Sequence, residues 1–220
     1  VSGELKTMRI DRRKALALLG LGAATPATAQ TAKLGIRFNH GVASGDPLQD
    51  RVVLWTRITP DQPGGQVAYR WSLNPIDRRA GGAKSGTGVT GPERDYTAKV
   101  DVTGLDAGRA YTFSFEAEGV SSPVGRTRTL PKGPTTDVVM AVASCTLFPN
   151  GYFNAYQAIA DLTRVDVVLH LGDYIYEYGG PGSYGMNSAV AGERPHDPPR
   201  ECISLDDYRR RHAQYKADPQ

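Results

Sequence analysis

Three side chains in the second half of the sequence could bind a metal ion together. Cys145 offers a thiolate, Asp173 a carboxylate, and Tyr176 a phenolic oxygen three residues later. A carboxylate can bridge two cations, and the glycine before Asp173 lets the backbone turn sharply beside it. Thiolate, phenolate and carboxylate together suit trivalent iron better than magnesium, which takes nearly all of its ligands as oxygen. The Gly-Asp pair is weak evidence by itself, because aspartate also commonly caps turns and helices.

The elements around these residues should bring them together. Residues 138–143 and 165–171 are continuous apolar runs, as in strands buried on both faces, and residues 151–164 between them have helical spacing. This order predicts a parallel strand pair with a right-handed crossover. In such sheets ligands bind at the carboxyl ends of the strands, which Cys145 and Asp173 directly follow. We therefore expect the two side chains to lie close to each other.

The first half of the chain has a different period. Apolar and polar residues alternate at 67–73 and 111–115, which predicts strands with one core-facing side. Short strands punctuated by Gly and Pro predict a β-sandwich over residues 35–130. Tyr111 follows a corner typical of fibronectin-like sandwiches, in which the tyrosine hydroxyl bonds to upstream backbone. Residues 131–134 have the composition of a linker.

Residues 1–29 have the layout of a signal peptide. Arg12 and Arg13 precede an apolar run at 15–24, and small residues at 27–29 form a cleavage signature. The paired arginines indicate the twin-arginine (Tat) route, so we predict a transient Tat translocase partner and a periplasmic or secreted protein. The run is too short for a stable membrane span, which needs about 20 apolar residues. An uncleaved amphipathic anchor is the alternative.

The net charge of +3 does not indicate a nucleic-acid partner. Five basic and two acidic residues fall within residues 1–29, so the remainder of the chain is balanced between acidic and basic residues. A balanced chain lacks the general basic surface that attracts nucleic acid.

Several segments resemble the PhoD-type alkaline phosphatases, in the same order along nearly all of the chain after residue 35. They are residues 40–47 (HGVASGDP), 53–57 (VLWTR), 143–145 (ASC), 151–156 (GYFNAY), 171–177 (LGDYIYE), 207–211 (DYRRR) and 215–218 (YKAD). The resemblance implies an immunoglobulin- or fibronectin III-like β-sandwich at residues 35–130. It also implies that residues 137–220 begin an α/β calcineurin-like metallophosphatase domain.

The same resemblance implies a chemistry. It points to hydrolysis of small phosphomonoesters and phosphodiesters with Fe³⁺ and Ca²⁺ as cofactors. By motif, Cys145, Asp173 and Tyr176 would be the iron ligands, and Asp173 would bridge to calcium. The remaining ligands, an Asn or Asp plus His and Asp residues, would lie beyond Gln220, so this chain is expected to be truncated and inactive by itself. No residue is singled out as the general acid.

Other residues capable of chemistry are interpreted as structural. His170 is expected to be a hydrogen-bonded core histidine, His40 a packing residue of the β half, and His196 a solvated loop residue rather than part of the site entrance. Cys202 is expected to be structural or incidental. The run at 209–211 fits a solvated charged face with one structural ion pair better than a phosphate clamp.

Alternatives remain for helical packing, for Cys145 and for function. Helical spacing predicts that Leu205, Tyr208 and Tyr215 share a core face. Cys145 could instead be a small buried hydrophobe, or form a disulfide with Cys202 if their Cα atoms lie within about 7 Å. The alternative function is an extracellular Ig-like binding module with a non-catalytic metallophosphatase remnant. Action on other anionic esters also stays open.

Overall fold

The computed structural model describes residues 35–77, 82–180, 182–183 and 188–219. These residues belong to one compact unit, which is mostly β-sheet with few helices. The predicted signal peptide, residues 1–29, lies outside the described residues. Within them, no helix is long and apolar enough to cross a lipid bilayer.

Strands dominate the described chain before residue 130, and α-helices occur there only after it. The strands are β1 (Ile36–Arg37), β2 (Val42–Gly45), β3 (Arg51–Arg57), β4 (Thr59–Pro60), β5 (Val67–Pro75), β6 (Lys84–Thr90), β7 (Thr97–Thr103), β8 (Ala110–Ala117), β9 (Val120–Ser121), β10 (Gly125–Arg128), β11 (Met140–Ala143) and β12 (Val167–His170). The helices are α1 (Asn154–Ala160) and α2 (Leu205–Lys216), and short 3-10 turns cover Pro92–Arg94 and Phe148–Asn150.

The first ten strands form antiparallel sheets that share one hydrophobic core. One sheet has the order β2-β3-β7, and the other has the order β10-β8-β5-β6 with β9 paired to β8, while β1 pairs with β4. Inward-facing residues of both larger sheets contribute to the core, for example Leu54 on β3 and Phe113 on β8. The alternation predicted for residues 67–73 and 111–115 is confirmed, although Trp71 is only partly buried.

Two further predictions for this half are confirmed. The main-chain N–H of Asp106 donates to the Tyr111 hydroxyl at 3.0 Å, which is the upstream backbone contact expected at this corner. His40 is buried and lies between Arg57 and Thr59, at 3.4 and 3.3 Å from their side chains. Burial, reinforced by Arg57, lowers the pKa of His40 to about 4, so the histidine packs as a neutral ring.

The predicted parallel pair is present, but its burial was predicted wrongly. β11 and β12 pair in parallel from Met140 opposite Val167 to Ala143 opposite His170. Side chains such as Val142 and Val168 are each 55% exposed, because no other element of the described chain covers them. Helix α1 is also shorter than the predicted segment of residues 151–164 and is mainly exposed.

Helix α2 buries a polar face that was not predicted. Asp207, Arg211 and Tyr215, spaced four residues apart, are buried, whereas Leu205 and Tyr208 are 67% and 43% exposed. The apolar face predicted from Leu205, Tyr208 and Tyr215 is therefore wrong except at Tyr215. A capping box begins the helix: the Asp207 N–H donates to Ser204 Oγ at 3.2 Å, and the Ser204 N–H donates to Asp207 Oδ2 at 3.1 Å.

The outer face of β3 contacts α2. The Trp55 ring meets His212 edge-on at 6.5 Å, and Lys216 Nζ lies 5.3 Å from the same ring. Arg209 Nη2 donates to the Glu93 carbonyl at 3.1 Å. The β half and the C-terminal helix are thus joined through aromatic, cationic and main-chain contacts.

We expect residues 35–130 to fold cooperatively as a separate polypeptide, because every member of the hydrophobic core cluster lies between Ile36 and Ala117. Residues 137–220 should not, since β11 and β12 would expose apolar faces and unpaired edges. Thermal unfolding followed by circular dichroism, with dye binding to detect exposed apolar surface, tests both. A soluble, cooperatively melting 137–220 fragment would contradict this expectation.

Candidate metal centre

Main-chain hydrogen bonds join the two turns that follow β11 and β12. The N–H of Cys145 donates to the carbonyl of Gly172 at 3.1 Å, and the N–H of Thr146 donates to the carbonyl of Asp173 at 2.9 Å. The parallel register therefore continues past the ends of the strands. As a result, Cys145 and Asp173 are held side by side at one edge of the sheet.

Left-handed backbone at this edge sets the directions of the side chains. Cys145 has φ 59°, Asp173 has φ 52°, and Gly172 between the strand and Asp173 has φ 126°. Such values are uncommon for residues other than glycine and cluster at functional sites. Here they bring Cys145 Sγ to 3.6 Å from Asp173 Oδ2.

The predicted third residue completes the cluster. The Tyr176 hydroxyl donates to the same Asp173 Oδ2 at 3.2 Å. Desolvation, and then the hydrogen bonds with Cys145 and Asp173, raise the pKa of Tyr176 well above its usual value. The structure thus brings together all three residues that the sequence singled out, with Asp173 at the centre of the set.

The two cysteines differ in solvent exposure: the Cys145 thiol is accessible, and the Cys202 thiol is packed in the interior. Cys145 is exposed, which excludes its interpretation as a small buried hydrophobe, and the two cysteines form no disulfide. Cys202 is 4% exposed, and its thiol donates to the carbonyl of Asp207 at 3.7 Å, as fits a structural role. Only Cys145 is open to an incoming ion.

A layer of hydrogen bonds behind the cluster holds the Gly172 turn. The Gly172 N–H donates to Nδ1 of His170 at 3.3 Å. Nε2 of the same ring lies 2.9 Å from the Tyr156 hydroxyl, which lies 2.6 Å from Thr146 Oγ1. His170 is hydrogen-bonded as predicted but only partly buried, so it supports the turn instead of packing in a core.

The prediction for His196 is wrong. Its side chain is buried, and its two ring nitrogens lie 2.9 Å from the Tyr178 carbonyl and 3.1 Å from the Tyr215 hydroxyl. Burial, reinforced by the positive charge of Arg211, lowers the pKa of His196 to about 4. His196 is therefore neither solvated nor at a site entrance.

The run of three arginines is divided by the helix. Arg210 forms an exposed ion pair with Asp197, as predicted for a structural pair, and Arg209 is near the surface. Arg211 is fully buried, so the predicted solvated face is wrong at this residue. Asp207, Arg211 and Tyr215 follow each other at intervals of four residues, which places them on one helix face. This spacing was the signal in the sequence that could have indicated a buried polar face.

The donor set differs from the common clusters of ionisable metal ligands. Within the residues that the structure describes, no group of three or more His, Cys, Asp or Glu side chains could hold a metal ion. Cys145 and Asp173 supply two donors of this kind, and the third donor is a phenol. The cluster therefore depends on the phenol of Tyr176 for its third donor.

Comparison with known proteins identifies the family. The sequence profile of the PhoD-like phosphatase N-terminal domain matches residues 23–131, and that of the PhoD-like phosphatase matches residues 140–220. The chain belongs to the PhoD-like phosphatase family. The two matched segments are separated by residues 132–139, which join the antiparallel sheets to the strand pair bearing the cluster.

Individual relatives agree with this membership. The chain is 40% identical over 190 residues to alkaline phosphatase D of Bacillus subtilis strain 168, a match that covers 82% of this chain and 32% of that protein. A solved structure of PhoD superposes with a TM-score of 0.71 at 40% identity, covering 83% of this chain and 35% of that one. The chain thus spans about a third of the length of these relatives.

Strain at Cys145 leads to a stability prediction for the metal-free protein. We expect Cys145→Gly to stabilise it by up to about 1 kcal/mol, because glycine adopts φ 59° without the cost that a Cβ imposes and the exposed thiol contributes little packing. Cys145→Ala keeps the Cβ and serves as the matched control. Denaturant unfolding in the presence of a chelator measures both, and a Cys145→Gly protein less stable than Cys145→Ala would contradict the expectation.

Proposed function

We propose that this chain is the first part of an exported, metal-dependent phosphoesterase that hydrolyses phosphomonoesters and phosphodiesters. The observation that carries the proposal is the convergence of Cys145, Asp173 and Tyr176 on one carboxylate oxygen, in a member of the PhoD-like phosphatase family. Alkaline phosphatase activity is the reaction named for the Bacillus subtilis relative. The alternative, an extracellular binding module, gives no reason for these three side chains to meet.

The donor set fits ferric iron with a neighbouring calcium ion. Thiolate and phenolate donors favour a trivalent or softer ion, and the carboxylate of Asp173 can serve two ions at once. Both contacts to Asp173 use Oδ2, and Oδ1 makes no hydrogen bond within the described chain. Asp173 would therefore be the residue that holds calcium as well as iron.

The chain's own residues would hold the ions, and binding would release protons from two of these residues to solvent. Cys145 and Tyr176 must each lose the proton that they now direct at Asp173. When bound, the cations would polarise the phosphoryl oxygens and lower the pKa of an attacking water. The left-handed turns and the His170 contact would keep the ligands in place while this happens.

Further parts of the proposal concern domains. The three-stranded and five-stranded sheets, with the Tyr111 corner, support an immunoglobulin- or fibronectin-like sandwich over residues 35–130. The parallel pair supports the start of a calcineurin-like domain over residues 137–220. A two-ion centre needs more ligands than these three, and we propose that they lie beyond Gln220. The described chain should therefore be inactive by itself.

We expect Asp173→Asn in the full-length protein to lower kcat/KM for a nitrophenyl phosphate at least about a hundredfold, more than the loss of an outer-shell group costs. Cys145→Ser and Tyr176→Phe should reduce bound iron, and Tyr176→Phe should weaken the visible tyrosinate-to-iron absorption band. Asp206→Asn and Tyr208→Phe, which change exposed residues of α2, are the matched controls.

The 220-residue chain should show no turnover, and chelators should abolish the activity of the full-length protein. Full activity and full metal content in Asp173→Asn would reject the site, whereas a wild-type full-length protein without phosphoesterase activity would favour the binding-module function. Turnover by the 220-residue chain that is lost in Asp173→Ala would show instead that the centre is complete without further ligands.

Export by the twin-arginine route is the remaining part of the proposal. Replacing Arg12 and Arg13 with lysine should leave the precursor in the cytoplasm, because this route reads the arginine pair. Fractionation and detection of cleavage after Ala29 measure the outcome. Normal processing in a strain without the Tat machinery would point to the general secretory route.

A further inference from the structure

Arg211 is fully buried on α2, and each of its five N–H groups donates to a main-chain carbonyl. Nε donates to the carbonyl of Asp197 at 3.2 Å. Nη1 donates to the carbonyl of Tyr176 and, at 3.0 Å, to that of Tyr178. Nη2 donates to the carbonyls of Pro198 at 2.7 Å and Arg200 at 3.2 Å. The guanidinium is therefore satisfied entirely by carbonyl oxygens.

No carboxylate of the described chain is hydrogen-bonded to this buried charge. Asp207, one helical turn earlier and also buried, bonds instead to Ser204 and Arg200, and these contacts hold its pKa well below the usual range. Burying a cation without a paired anion is costly, and an apolar side chain would fill the same space more cheaply. The arrangement therefore calls for a role beyond packing.

Two of the five carbonyls that Arg211 holds belong to the segment that carries Tyr176. The carbonyls of Tyr176 and Tyr178 accept from Arg211, while that of Glu177 accepts from the main-chain N–H of Cys202 at 2.9 Å. The three consecutive carbonyls are thus all anchored. The rings of Tyr176 and Tyr178 also stack, with centroids 5.7 Å apart and planes 26° from parallel.

The segment that carries Tyr176 is not part of any regular secondary structure. Residues 174–179 lie in neither a helix nor a strand, so no ladder of backbone hydrogen bonds sets the position of Tyr176. The turn at Asp173 is fixed by its bonds to the turn after β11, but those bonds stop three residues before the phenol. Arg211 makes direct contact with the backbone of Tyr176 from a capped helix.

We infer that Arg211 is the positioning residue for Tyr176, a role that rests on the proposed function of Tyr176 as a metal ligand. By clamping the carbonyls on both sides of Glu177, the guanidinium holds the phenol within reach of Asp173. Lysine could not replace it, because an ammonium has three donors around one atom whereas the planar guanidinium reaches five separate acceptors.

The test compares Arg211→Lys with Arg210→Lys in the full-length protein. Arg210 lies on the same helix but forms an exposed ion pair, so it controls for the loss of an arginine. The metal-free proteins are titrated with ferric iron, supplied as its nitrilotriacetate complex, and the tyrosinate-to-iron band is recorded. We expect Arg211→Lys to bind iron about 10- to 100-fold more weakly and to show a shifted or weakened band, as for loss of an outer-shell contact. Arg210→Lys should match the wild type.

The reference variants Asp173→Asn and Tyr176→Phe separate the two proposals. If neither changes iron binding, the metal centre itself is misplaced and the inference falls with it. If both weaken iron binding while Arg211→Lys keeps the wild-type affinity and band, the centre stands and the positioning role is wrong.

The folding of each metal-free variant is checked by thermal unfolding. Should Arg211→Lys not fold, Arg211→Gln, which keeps a planar amide donor without the charge, is measured in the same way. If every substitution of Arg211 unfolds the metal-free protein, Arg211 supports the fold as a whole, and the specific role at Tyr176 is overturned.

Discussion

The parallel pairing of β11 with β12 is the constraint on which the candidate site depends. A parallel register brings the carboxyl ends of two strands to one edge, and here it continues through the bonds from Cys145 to Gly172 and from Thr146 to Asp173. Without that register a thiol and a carboxylate 28 residues apart in sequence would not meet. Left-handed backbone at the two ends then turns the side chains toward each other.

Ring contacts from both the β half and the C-terminal half of the chain support the candidate site. Tyr174, next to Asp173, contacts His170 on β12 at 5.2 Å and His212 on α2 at 5.9 Å, and His212 in turn meets Trp55 on β3. A continuous series of ring contacts therefore runs from the antiparallel sheets to the turn that carries the central carboxylate. The β half therefore has its own core and also packs, through these rings, against the turn that carries Asp173.

The proximity of Cys145 and Asp173 could be predicted from the sequence, because both residues directly follow apolar strands and the carboxyl ends of parallel strands meet at one edge of a sheet. Sequence reasoning failed at His196 and Arg211, because polar residues normally face solvent and their partners come from irregular segments with no periodic signal. It also predicted burial for β11 and β12, since apolar runs indicate covered faces but cannot specify what covers them.

The distance along the chain between Tyr176 and its anchor has a consequence for the order of assembly. The carbonyl of Tyr176 and the guanidinium that holds it are 35 residues apart, so the loop they close cannot form until α2 has been synthesised and has packed. Closing such a loop costs conformational entropy, which is offset only by the contacts that the completed helix makes. The phenol would therefore reach its place late in folding, after the thiol and the carboxylate have already met at the strand ends.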